Sequence, residues 1–180
     1  MAVIPIRIFG DPVLRTECDR VTEFDDALRA LVDDMVETMI AYQGAGLAAP
    51  QIGVTKRVFV YRVDGEIGHI INPVIEWTSE QTQTDAEGCL SIPGLRYDTT
   101  RALHARATGQ DVDGNPITLE GEGLLARAIQ HETDHLDGVL FFERLTPELR
   151  RQALRDARSA PWARAATASR PKVSNSPFGI

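Results

Sequence analysis

Apolar side chains recur along the chain at two periods. Phe24, Leu28, Leu31, Met35 and Met39 step by three and four, which puts them on one stripe of a helix, and the spacing predicts that helix over residues 21–42. Thr22 with Asp25 three positions on resembles a capping box, and Gly44 and Gly46 close the segment. Residues 57–63 are rich in Val, Phe and Tyr and read as a strand. Asp64-Gly65 then turns the chain into a second strand over 66–71. Asn72-Pro73 breaks that strand, and extended character resumes over 74–78. Residues 102–112 alternate between faces, and Asp113-Gly114-Asn115 turns them back into 116–119. A second helix is predicted over 124–136, closed by Gly138, and a third over 147–159 with Pro147 in its first turn. Beyond Pro161 the Ala/Arg/Ser/Pro composition reads as a mobile tail. The pattern is α+β in a single domain, with short antiparallel strands around a central helix.

With 180 residues, about two-fifths of them apolar, the chain can bury one core without disulfide staples. Cys18 and Cys89 stand far apart and form no disulfide framework, which points to a reducing cytoplasm. The first residues lack the basic start and long apolar middle of a signal peptide. No apolar run approaches the roughly 18 residues of a membrane-spanning helix. The net charge of −7 disfavours a dedicated nucleic-acid binder, and no DNA partner is expected. It is unevenly distributed: from residue 148 onward seven basic residues face only Glu148 and Asp156, giving +5, and residues 1–147 carry −12. The chain thus divides into an acidic body, 1–147, and a basic C-terminal helix and tail, 148–180.

Chemistry concentrates in three segments. In His131-Glu132-Thr133-Asp134-His135 the two histidines sit about 40° apart on a helical wheel, so both imidazoles can reach one metal ion. Glu132 lies about 100° round from His131, placed to take a proton from water polarised by that ion. A third ligand is required. A metzincin-like site would need a histidine where Phe141 stands, and a thermolysin-like one could draw only on Glu143, Glu148 or Asp156. Upstream, Cys89 in Glu87-Gly88-Cys89-Leu90-Ser91 lies on a short, sharply bent extended segment before Pro93-Gly94. A Cys/His2 set leaves a fourth position open for water, as catalytic rather than structural sites do. Cys18 reads as a small core residue, and His69 and His104 as structural or surface residues. The third segment, residues 44–51, is Gly-Ala-Gly-Leu-Ala-Ala-Pro-Gln. Its small residues permit close backbone approach, and the Gln51 amide can donate to an oxyanion. On the wheel, Leu124, Arg127 and Ala128 share the side of His131 within about 60°, whereas Leu125, Ile129 and Leu136 point about 120–160° away, toward a core. Ala128 leaves room for an unbranched apolar side chain, with Leu124 lining that space.

In this order, GAGLAAPQ, EGCLS and QHETDH resemble the three signature motifs of the peptide deformylases, which remove the formyl group from the N-terminal methionine of new bacterial proteins. The resemblance runs from about Ile6 to about Leu145. It implies a monomeric enzyme acting on formyl-methionyl nascent peptides and releasing formate. It also implies a divalent metal, Fe2+ in the native enzymes, held by Cys89, His131 and His135, with Glu132 as general base. Gln51 and the Leu90 backbone N–H would hold the carbonyl oxygen. Gly44, Ala45 and Gly46 would contact peptide backbone, the face bearing Leu124, Arg127 and Ala128 would line the methionine pocket, and Arg96 would lie near the substrate backbone. Ala45 departs from the branched residue often found there. Affinity order alone favours Zn2+ over Fe2+, so another divalent ion is an alternative. A metalloprotease and a structural metal-binding module are the rival readings. For the basic tail three readings stand open: a solvated appendage, docking on the acidic body, and contact with ribosomal RNA.

Overall fold

The computed structural model describes residues 2–163; the predicted tail lies outside them beyond residue 163. Among the described residues seven strands and three α-helices follow in the order α1 (Asp26–Ala41), β1 (Gly46–Ala48), β2 (Val58–Val63), β3 (Glu66–Thr78), β4 (Thr82–Cys89), β5 (Ile92–Ala102), β6 (His104–Gln110), β7 (Pro116–Glu122), α2 (Gly123–Leu136) and α3 (Pro147–Ser159). A five-stranded antiparallel sheet has the order β1-β2-β3-β6-β7, and β4 and β5 form a separate hairpin.

Alternation along the strands sets what lies on each face. Leu47, Val58 and Val60 pack with Leu28, Val32, Met35 and Met39 of α1. Their neighbours Ala48 and Phe59 point the other way, to Ala126, Ile129 and Leu136 of α2. The large sheet is therefore held between α1 and α2, as a period of two along a strand requires. A third cluster joins Leu14, Ile92, Phe141 and Phe142 to Ala153 and Ala157 of α3, so the C-terminal helix packs into the body through an alanine stripe. Arg150, Arg151, Arg155 and Arg158 stay exposed.

Three local expectations are corrected. The first helix starts at Asp26, capped by the Asp25 side chain accepting from Leu28 N. The preceding residues are extended because Val21 N–H donates to Asn72 Oδ1 at 2.8 Å. Asn72-Pro73 does not end β3. Asn72 takes a left-handed φ of 53°, and the pairing with β6 jumps from Ile71↔Gln110 to Val74↔Thr108, a bulge that absorbs the missing proline donor. The region between Thr78 and Ala102 holds the β4–β5 hairpin, which was not predicted. Half of β4 is exposed, with Glu87 its one buried residue, so it carries no apolar alternation. Predicted and observed bounds for α3 agree, and α2 begins one residue earlier than predicted. Among the described residues no helix is long and apolar enough to cross a membrane.

Candidate metal centre and active site

Cys89 ends β4, one residue short of the turn into β5, where the register with β5 shifts between Gly88 and Cys89. That irregularity brings its sulfur beside α2, which carries His131 and His135. The donor atoms of the three residues lie within 4.8 Å of one another, and Cys89 Sγ is 3.2 Å from His135 Nε2. Metal–sulfur and metal–nitrogen bonds of about 2.3 and 2.0–2.1 Å at a tetrahedral centre place such donors roughly 3.5 Å apart. The set fits a divalent ion.

The surroundings fit it as well. His131 Nδ1 is 2.7 Å from Glu87 Oε1, which turns Nε2 toward the other ligands, the carboxylate–histidine arrangement common at metal centres. Burial disfavours charge on His131, yet the hydrogen bonds to Cys89 and Glu87 outweigh it and raise its pKa well above 6.5. The space between sulfur and carboxylate therefore favours a cation. Burial, aided by His131, holds His135 well below 6.5, in the neutral form that can ligate. Burial also pushes the Glu87 carboxyl up, but hydrogen bonds from His131 and Arg101 overcome this and hold it well below the usual carboxylate range.

Glu132 is buried, and its Oε2 has no hydrogen-bond partner. Burial pushes its pKa up to about 7, against the opposing charge of His131, within the range of an effective general base near neutral pH. Gly46 faces this carboxylate closely: a Cβ there would stand 2.8 Å from Glu132 Cδ. At Gly44 a Cβ would stand 2.8 Å from Leu90 Cδ1. Gln51, buried in the short 3-10 turn Ala49–Ile52, accepts from Ala48 N at 2.8 Å. Its amide nitrogen lies 3.2 Å from Ser91 Oγ and 3.5 Å from Cys89 Sγ, so the side chain is locked beside the ligand set.

A cavity of about 420 Å³ opens over this centre, and every site residue expected from sequence except His135 lines it: Gly44, Ala45, Gly46, Gln51, Cys89, Leu90, Arg96, Leu124, Arg127, Ala128, His131 and Glu132. Leu124 is half exposed at the rim and Ala128 is buried. Arg96 donates to Ala86 O at 2.8 Å, tying it to the β4 backbone. Arg127 is buried and donates through Nη1 to Glu87 Oε2 at 2.6 Å and to Thr99 O at 2.9 Å, so this guanidinium braces Glu87 as well as lining the cavity. His69 Nε2 accepts from Val112 N and His104 faces Glu122, both remote from the ligand set. Sequence reasoning missed Glu87, Arg101, Asp134 and Arg144. The usable signal was chemical: a metal-ligating histidine usually gives its second ring N–H to an acceptor, and Glu87 is the carboxylate in the Cys89 motif.

Comparison with known proteins agrees with this geometry. The family model for polypeptide deformylase matches residues 3–151. The peptide deformylase of Acidothermus cellulolyticus is 59% identical over 163 residues, covering 91% of this chain and 90% of its own. The crystal structure of the Thermus thermophilus peptide deformylase superimposes with a TM-score of 0.83 at 45% identity, covering 93% of this chain and all of the other. That of Synechococcus elongatus, solved in complex with actinonin, gives 0.82 at 40% identity over 91% and 90% of the two chains. The chain belongs to the peptide deformylase family.

Proposed function

We propose that this chain is a metallohydrolase that removes the N-terminal formyl group from formyl-methionyl nascent peptides in the cytoplasm, acting as a monomer. The observation that carries the reading is the Cys89/His131/His135 set beside a buried, unpartnered Glu132 carboxylate oxygen. A divalent ion bound by the three ligands, Fe2+ or alternatively Zn2+, would act as Lewis acid toward the formyl carbonyl and acidify the attacking water.

The chain's own groups do the rest. Glu132 Oε2 accepts a proton from the attacking water and returns it to the departing α-amine nitrogen, leaving formate and a free amino terminus. Gln51 Nε2 and the Leu90 N–H donate to the formyl oxygen as it gains charge. The edge of β1 away from β2, with Gly44 and Ala45 just before it and Gly46 in it, receives the peptide backbone, since among the described residues β1 pairs with β2 alone, and Arg96 stands at the same rim. Leu124 and Ala128 enclose the methionine side chain, and Arg127 supports that wall from Glu87. No fourth protein ligand joins the three among the described residues, which favours a catalytic over a structural centre. The outward arginine face of α3 supports a contact with ribosomal RNA.

The deciding assay is formate release from a formyl-Met-Ala-Ser peptide by anaerobically prepared, iron-loaded protein. Glu132→Gln should keep its metal and lose about 10²–10⁴-fold in kcat, and Cys89→Ala should lose both metal and activity. Cleavage of internal peptide bonds, or no formate at full metal occupancy, would overturn the reading.

A further inference from the structure

We infer that Arg144, on the surface of the short turn Phe141–Arg144, is a positioning residue for the metal centre, acting through Asp134, Arg101 and Glu87 on His131. The inference rests on the metal reading of the Cys89/His131/His135 set.

The four links are continuous and directional. Arg144 grips Asp134 with a two-pronged fork, Nε to Oδ2 at 3.0 Å and Nη2 to Oδ1 at 2.5 Å. Asp134 Oδ2 also accepts from Arg101 Nη1 at 2.6 Å. Arg101 turns its other two donors on Glu87, Nε to Oε2 at 3.1 Å and Nη2 to Oε1 at 2.7 Å. Glu87 Oε1 then receives His131 Nδ1. The links come from four elements: the turn after α2, α2 itself, β5 and β4. Exposure falls along them, the side chains of Arg144, Asp134, Arg101 and Glu87 being 48%, 11%, 4% and 3% exposed.

Arg101 is the shared member, one planar guanidinium divided between two carboxylates. Forked guanidinium–carboxylate pairs are strong and geometrically exacting. With Arg144 in place, Asp134 has a cation of its own, and Arg101 can keep both prongs square on Glu87. Without it, Asp134 has only Arg101 and little water. The guanidinium is drawn toward Asp134, its fork on Glu87 opens, and the His131 ring loses part of the restraint that aims Nε2 at the ion. Arg127 holds Glu87 Oε2 from another side, so the carboxylate stays paired and the fold should survive; what changes is its orientation.

Direct partners of metal-bound histidines are worth about 10–100-fold in metal affinity. Arg144 acts two carboxylates away, so roughly a three- to tenfold faster metal loss is expected. Arg106 supplies the control: similarly exposed, it pairs with Glu120 across β6 and β7, outside the network.

The test uses the full chain loaded with Co2+, following ion loss to excess EDTA, the cobalt ligand-field bands, KM and kcat, and the melting temperature of the metal-free protein. Arg144→Met should lose cobalt three- to tenfold faster, with shifted ligand-field bands, lower kcat and unchanged KM. Arg144→Lys should fall between it and wild type, because a point charge replaces the fork; it decides the matter if Arg144→Met does not fold. Arg106→Met should match wild type, and Arg144→Met added to Asp134→Asn should bring no further acceleration. Wild-type retention of cobalt in Arg144→Met, equal acceleration in Arg106→Met, or additivity with Asp134→Asn overturns this inference alone. Failure of the wild type to hold one cobalt per chain overturns the metal reading, and this inference with it.

Discussion

At Gly46 the backbone stands so close to the Glu132 carboxylate that a Cβ would lie within contact of three of its atoms. That close approach fixes which way the unpartnered oxygen can point. Gly46→Ala should therefore displace the base rather than unfold the protein, and loss of kcat on the order of 10²-fold is expected for a shift of about 1 Å. Formate release together with metal analysis checks it, full metal content being part of the expected result. The two cysteines separate as clearly. Cys18 is buried and burial pushes its thiol up to about 11, so it stays protonated at pH 8, whereas Cys89 borders the cavity. Iodoacetamide at pH 8 should leave the metal-loaded protein unmodified and, after chelation, add one label at Cys89. Peptide mapping reads the outcome, and a label on Cys18 would contradict it. The Cys89/His131/His135 cluster was legible in the sequence because helix geometry alone puts His131 and His135 on one side and the flanking glycine and proline mark Cys89. Glu87 was not, because its partner lies 44 positions away on α2 and only the packing of the β4–β5 hairpin against α2 brings the two together.

Elements differ in how much of themselves they show. The α2 wheel separates Ile129 and Leu136, both fully buried, from the ligand-bearing side, and the structure keeps that division. β4 shows nothing, since its one buried residue, Glu87, is charged and leaves no alternating apolar pattern. Its place is fixed instead by the charged pairs Glu87 makes with Arg101 and Arg127. β3 was readable as two pieces but not as one, because the left-handed Asn72 continues the strand through a bulge while its side chain holds Val21. The consequence for α2 is mechanical. Ile129 ties the helix to Phe59, Ile70 and Ala107 of the large sheet, so Ile129→Ala should cost about 2–5 kcal/mol. Urea unfolding of the metal-free protein would measure it. Metal content of the fraction that remains folded should stay at one ion per chain, since the ligands lie on the other side of the helix.

Over the whole molecule, charge is divided between a body at −12 and a C-terminal segment at +5, and α3 shows how the two coexist. Its buried alanines, Ala153 and Ala157, join the third core cluster with Ile92 and Phe142, while Tyr97 O–H donates to Asp156 at 2.7 Å and Trp162 Nε1–H to Pro93 O at 2.9 Å. The helix and the residues just after it are thus fastened to β5, the strand that follows the turn after Cys89, and deleting them would disturb the centre as well as any contact they make. Docking of α3 on the body also leaves its basic face free, because the inward face is alanine and the exposed one carries Arg150, Arg151, Arg155 and Arg158. A ribosomal contact through that face is tested by changing these four residues to glutamine together. Each phosphate contact contributes about 0.7–0.9 to the slope of log affinity against log salt, so if each arginine meets one phosphate the slope should shrink by roughly 3. Co-sedimentation with ribosomes across a salt series reads that change, and formate release from a free peptide should stay at the wild-type rate. Co-sedimentation unaltered by the four substitutions would leave the arginine face as a solvated surface with no part in reaching the nascent chain.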